Sequence, residues 1–218
     1  EVARSKDRIA TEGFMYRHHP QTLEVKRLIE AGTLGELRAI RGAFHFTLDK
    51  LPNIRTEARN GGGALWDLGC YQIGITRFLA GREPLSVSGT QDKAGKEVDW
   101  GFFAQLNFSD GLTAFLDCGF QAPRHAYLEI VGSKGRLRLD RPFKPEQKES
   151  LRIYTDTGET ELLIESPYSL NALQLDHFAK VLREQVTPRI SLTDSQNNVR
   201  VLSSLLESAN KGQAISLT

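Results

Sequence analysis

Val25, Leu28 and Ile29 recur at helical spacing, with Pro20 ahead of them and Gly32 behind. Proline suits a first helical turn and glycine a stop, so the pattern predicts a helix over Gln21–Ala31. Gly35–Leu48 alternates and reads as a strand. Leu51–Asn60 is polar and irregular. Behind Gly61-Gly62-Gly63, the residues Leu65, Leu68, Ile75 and Leu79 share one helical stripe, with Gln72 among them. That stripe predicts a second helix, Ala64–Ala80, ended by Gly81. Five alternating runs follow: Val87–Gln91, Val98–Phe108, Leu112–Phe120, Tyr127–Val131 and Arg136–Leu139. Turn signals at Ser109-Asp110-Gly111 and Gly132-Ser133-Lys134-Gly135 separate them into strands. Two weaker strands, Leu151–Tyr154 and Thr160–Ile164, precede closing helices over Leu170–Glu184 and Asp194–Ala209. Thr193 or Asp194 is the expected cap of the last helix.

The order predicts an α+β fold: a large, mainly antiparallel open β-sheet with helices packed on one face. It does not alternate as β-α-β, so a doubly wound cofactor-binding sheet cannot be built from it. Phe102, Ala104 and Leu106 alternate with positions that include Phe103, and Ala114, Phe115, Leu116 and Cys118 are apolar on both faces of the next strand. A sheet apolar on both sides predicts a second face buried against another subunit, the alternative being a few exposed aromatics.

Composition adds exclusions. The 218 residues are 39% hydrophobic and 25% charged, an ordinary globular balance that rules out a disordered chain. Lys plus Arg is 28 against 27 for Asp plus Glu, so nothing in the charge points to nucleic acid or anionic lipid. Cys70 and Cys118 cannot make a disulfide framework or a four-thiolate zinc site. Apolar runs fall far short of the ~20 residues of a membrane span. The chain opens Glu-Val-Ala-Arg without Met and without a signal peptide. It reads as a cytoplasmic protein and as a fragment whose beginning is missing, the alternative being a processed mature chain.

The segment Gly61 to Tyr71 holds the candidate chemistry. Asp67 and Tyr71 are four apart, on a stripe beside the apolar one, and Gly74 leaves room next to Tyr71. A carboxylate and a phenol at the edge of the core suit acid/base work in a cleft. Each also has a plainer explanation: the helix dipole favours Asp67 in a first turn, and Tyr71 suits a boundary with its hydroxyl in water. The glycines lack Gly-x-Gly-x-x-Gly spacing, so Gly62 and Gly63 fit close backbone approach to a ligand or partner domain better than a phosphate cradle. His18 and His19 are adjacent and point apart, and His45, His125 and His177 are scattered, so no metal site is expected. The two thiols sit in apolar contexts and read as buried and inert. Arg17, read at a strand exit, fits a ligand contact or a surface ion pair.

At Gly13-Phe14-Met15-Tyr16-Arg17-His18-His19-Pro20 and again at Gly61 to Tyr71, the sequence resembles the C-terminal, substrate-side domain of the glucose–fructose oxidoreductase / inositol dehydrogenase / rhizopine catabolism family (Gfo/Idh/MocA). Glu30–Gly35 is similar to the family's helix-to-strand turn, Gly132–Gly135 to its hairpin and Asp194–Ala209 to its closing helix. The resemblance runs nearly end to end. It implies an NAD(P)-dependent oxidoreductase acting on a sugar, polyol or dihydrodiol-like substrate. A non-catalytic dimerisation or binding module that keeps the fold is the alternative. It implies that residues 1–14 are the tail of an N-terminal Rossmann domain and 15–218 the substrate-binding and oligomerisation domain. The glycine-rich dinucleotide loop and the Glu-Lys-Pro lysine of relatives are absent here, so NAD or NADP would be bound mainly by that other domain. Many members end the Asp-x-x-x-His motif in histidine, whereas this chain has Asp67-Leu68-Gly69-Cys70-Tyr71. That departure is similar to the branch of dimeric dihydrodiol dehydrogenase and xylose dehydrogenase, and it implies Tyr71 as acid/base with Asp67 orienting the site. Tyr16, Arg17 and Arg55 are implied to line the cofactor cleft. Association through the sheet, as homodimer or homotetramer, is implied as well.

Overall fold

A computed structural model of the chain describes residues 2–217; Glu1 and Thr218 lie outside the described residues. The strands are β1 (Leu37–His45), β2 (Ser86–Asp92), β3 (Gly101–Asn107), β4 (Thr113–Gly119), β5 (His125–Gly132), β6 (Gly135–Leu139), β7 (Lys148–Thr155), β8 (Gly158–Glu165) and β9 (Ile215–Ser216). The helices are α1 (Val2–Ser5), α2 (Pro20–Glu30), α3 (Cys70–Ala80), α4 (Leu170–Glu184) and α5 (Leu192–Lys211). All nine strands form one sheet in the order β8-β7-β6-β5-β1-β4-β3-β2-β9. Neighbours are antiparallel throughout, save β1 and β4, which run parallel. This is the open, mainly antiparallel α+β sheet that the alternation predicts.

The period of two along each strand sorts the side chains. Ile40 and Phe44 of β1, Phe102 and Leu106 of β3, and Ala114 and Leu116 of β4 lie on the buried face. Helices α2, α3 and α5 cover it, contributing Val25 and Leu28, Ile73 and Leu79, and Val201 and Leu205 to the same core. On the other face, Phe103 and Phe115 remain 58% and 49% exposed. The register sets Phe115 between Gln105 of β3 and Arg41 of β1, so this face mixes aromatic and polar groups.

Local chemistry moved several boundaries. Strands β7 and β8 pair over eight residues each, longer than their weak alternation predicts. The short β9 was not predicted; it closes on β2 at Val87 and Ser86. The expected cap at Thr193 or Asp194 is instead Ser191, whose hydroxyl accepts from the Asp194 N–H at 3.0 Å. Asp194 is thereby free to pair with cations elsewhere.

Candidate active site

The helix that carries Asp67 and Tyr71 does not begin as a plain α-helix. Leu65–Gly69 forms a wide π turn before α3. Two features make it. The Asp99 carboxylate accepts from the Leu65 N–H at 2.7 Å, and the Ala64 N–H donates to the Asp99 carbonyl at 2.9 Å, which fixes the start. Gly69 has no side chain, and a Cβ there would meet Leu65 Cδ1 at 2.7 Å. Asp99 is itself buried, and burial pushes its carboxyl up despite the amides that hold it.

Asp67 and Tyr71 line one cavity of about 380 Å³, together with Leu68, Phe44 and Phe46. Three cationic side chains, Arg55, Arg124 and Lys144, complete it. The Arg55 Nε–H donates to Asp67 Oδ2 at 2.8 Å, and the two side chains are 41% and 26% exposed. This is a half-open, charge-assisted pair that fixes the carboxylate's direction. The Tyr71 ring is held edge-on by Phe14, with centroids 5.3 Å apart, and by Phe44 at 5.8 Å. Its hydroxyl has no hydrogen-bond partner among the described residues and is not sealed from solvent. Partial burial raises the phenol above its ordinary 10, and the nearby Cys70 and Asp67 add to this while Arg55 opposes it. The group is therefore protonated at neutral pH and placed to donate.

The other candidates from the sequence fall in different places. Gly62 and Gly63 do not line the cavity. A Cβ on Gly62 would meet the Arg55 carbonyl oxygen at 2.6 Å, and one on Gly63 would clash with Asp99 Oδ1. The close approach seen here is to the Arg55 backbone and to the carboxylate of Asp99. Tyr16 is fully buried behind Tyr71, its hydroxyl donating to the Tyr71 carbonyl at 3.1 Å. The room expected beside Gly74 is filled by that hydroxyl, 3.0 Å from where a Cβ would stand. Arg17 is not at a strand exit: it sits in a short 3-10 turn, Met15–His18, and is buried. Its guanidinium lies 3.9 Å from the Phe78 ring centroid and 3.4 Å from Asp194, so it anchors the turn and does not line this cavity.

Asp99, Arg124 and Lys144 were not found from the sequence. Arg124 follows β4 and Lys144 follows β6, so only the strand order brings them to Tyr71. The thiols of Cys70 and Cys118 are both pushed up by burial, that of Cys70 to about 12. Among the described residues, no group of three His, Cys, Asp or Glu could hold a metal ion. Nor is any described helix long and apolar enough to cross a membrane.

Comparison with known proteins bears on this arrangement. The model of the GFO/IDH/MocA C-terminal domain matches residues 22–138. An uncharacterized oxidoreductase of Rhizobium meliloti is 32% identical over 209 residues, 92% of this chain and 62% of that protein. The NADP-dependent D-xylose 1-dehydrogenase 2 of Haloferax volcanii is 27% identical over 208 residues, 94% of this chain and 64% of its own. The chain thus spans less than two thirds of the length of these relatives. Among solved structures, a 3-ketoreductase from Actinomadura kijaniata in complex with NADP and TDP-benzene superposes with a TM-score of 0.87. That match is 27% identical and covers 95% of this chain and 64% of the other.

Proposed function

The chain belongs to the GFO/IDH/MocA family, and we propose that it is the substrate-side domain of an NAD(P)-dependent oxidoreductase acting on a sugar, polyol or dihydrodiol-like substrate. The observation that carries the reading is the free Tyr71 hydroxyl beside the Arg55–Asp67 pair in one cavity. Relatives that use NADP, a xylose dehydrogenase and a 3-ketoreductase, support the cofactor class.

The dinucleotide's phosphates do not fit the helix start in this chain. An anion normally binds there through free amides, but Asp99 already takes the Leu65 amide and fills the space above Gly63. The grip on NAD or NADP is therefore assigned to a preceding domain, with residues 1–14 as its tail and 15–218 as the substrate-binding and oligomerisation domain. The nicotinamide, when bound, supplies hydride transfer to or from the substrate carbon. The residues of this chain manage the proton. Tyr71 Oη donates it to the carbonyl oxygen in reduction and accepts it from the hydroxyl in oxidation. Asp67 Oδ1, which has no donor among the described residues, accepts from a neighbouring substrate hydroxyl while Arg55 holds Oδ2. An ammonium from the preceding domain would favour the phenolate and ease the oxidative direction. The exposed Phe103 and Phe115 face is assigned to a homodimer or homotetramer contact, and the protein to the cytoplasm.

In the full-length enzyme, Tyr71→Phe is expected to lower turnover by ~10²-fold or more with the fold unchanged, the usual scale for losing an acid/base group. Near-normal turnover on a panel of aldoses, polyols and dihydrodiols would remove Tyr71 from that role.

A further inference from the structure

We infer that the Tyr71 cavity continues into an oxyanion-binding subsite formed by Arg124 and Lys144, so that the substrate carries a carboxylate or phosphate group away from its reacting carbon. A second cavity of about 450 Å³ adjoins the first, and Phe44, Arg124 and Lys144 line both. Each volume is in the range of ~300–1,000 Å³ typical of small-molecule sites.

The charge arithmetic singles out these two residues. In the first cavity Arg55 is matched by Asp67 at 2.8 Å. In the second, Arg138 is matched by Asp140 at 2.9 Å, and Arg141 by Glu146 at 2.9 Å and Glu149 at 3.0 Å. Among the described residues, Arg124 and Lys144 have neither an ion pair nor a hydrogen-bond partner. The two unmatched cations are thus the two that stand where the cavities meet. Phe44, stacked on Phe143 with centroids 4.7 Å apart, gives this junction an aromatic wall. Such a junction suits a ligand with a polyhydroxylated body and one anionic end. Guanidinium and ammonium bind oxyanions through charge-assisted hydrogen bonds, roughly twice as strong as neutral ones.

That the anion is part of the substrate rests on the reading of Tyr71 above; that the subsite binds oxyanions does not. The test therefore has a binding arm and a turnover arm. D-glucose, D-glucuronate and D-glucose 6-phosphate are titrated into the protein and into an Arg124→Gln, Lys144→Gln double variant, with circular dichroism confirming the fold of each. At least one anionic probe is expected to bind tenfold or more tighter than glucose, with affinity that falls as salt rises and is lost in the double variant. Whether the carboxylate or the phosphate probe wins decides the class. Equal binding of all three, or a preference that survives in the double variant, overturns the subsite. In the full-length enzyme the variant is expected to raise KM for an anionic substrate by tenfold or more and leave the KM of the cofactor unchanged. A rise in cofactor KM alone overturns the placement. Loss of Tyr71 dependence with anion binding intact overturns only the catalytic reading.

Discussion

Two regions of this molecule use the same three residue types for opposite purposes. In one, Arg17 next to Tyr16 pairs with Asp194; in the other, Arg55 pairs with Asp67 in the cavity that Tyr71 lines. Arg17 has a side chain only 6% exposed and is stacked on Phe78, whereas that of Arg55 is 41% exposed at the edge of a cavity. Tyr16 spends its hydroxyl on the Tyr71 carbonyl, whereas the Tyr71 hydroxyl has no partner among the described residues. Burial drives both phenols upward, far more so for Tyr16. Residue type does not separate an anchor from a group left open to a cavity here. What separates them is whether the polar tip is already satisfied. The two regions are also joined, because the Tyr16 hydroxyl holds the backbone of Tyr71 from behind.

The strongest way to break the comparison is to remove the anchor. Tyr16→Ala leaves a large cavity among Tyr71, Phe14 and Phe143. Urea unfolding is expected to report a loss of about 3–5 kcal/mol, as for other buried aromatics; a change under 1 kcal/mol would show that Tyr16 is not a core residue.

Acid is expected to act on the anchor region next. His18 lies beside His177, with ring centroids 5.1 Å apart. Burial, then the neighbouring His177, Arg189 and Arg17, pulls its pKa down from 6.5 to about 4. The unfolded chain therefore binds this proton first as pH falls, and the stabilisation present above pH 6.5 is lost between 6.5 and about 4. The loss is on the order of 3 kcal/mol. His18→Gln should flatten that limb of the stability profile, and an unchanged limb would clear His18 of it.

A smaller effect sharpens the other side. Asp99→Ala removes the cap of the helix start that carries Asp67 and Tyr71. It should cost about 1 kcal/mol of stability and also reduce turnover, through displacement of Tyr71. Lost stability with unaltered turnover would mean that the cap does not position the phenol.

Much of this was legible in the chain. The alternation of β3 and β4 and the helical spacing of Val25, Leu28 and Ile29 in α2 predicted their elements, because burial on one face writes itself into local spacing. Asp67 and Tyr71 share a cavity as their four-residue separation suggests. The partners of Tyr16 and Arg17 could not be read locally, because the Tyr71 backbone and Asp194 lie 55 and 177 residues away. The π turn escaped the pattern because it depends on Asp99, 34 residues from Leu65. Arg124 and Lys144 follow different strands, and only the sheet order, which sets β5 beside both β1 and β6, brings them together.

The most direct test of the account is the pH dependence of carbonyl reduction by the full-length enzyme, measured for the native form and for Tyr71→Phe. With Tyr71 as proton donor, the native rate should hold through neutral pH and fall on the alkaline side as the phenol ionises, and the variant should be slow and lack that fall. An alkaline fall of the same shape and midpoint in the variant would contradict the assignment of the proton to Tyr71.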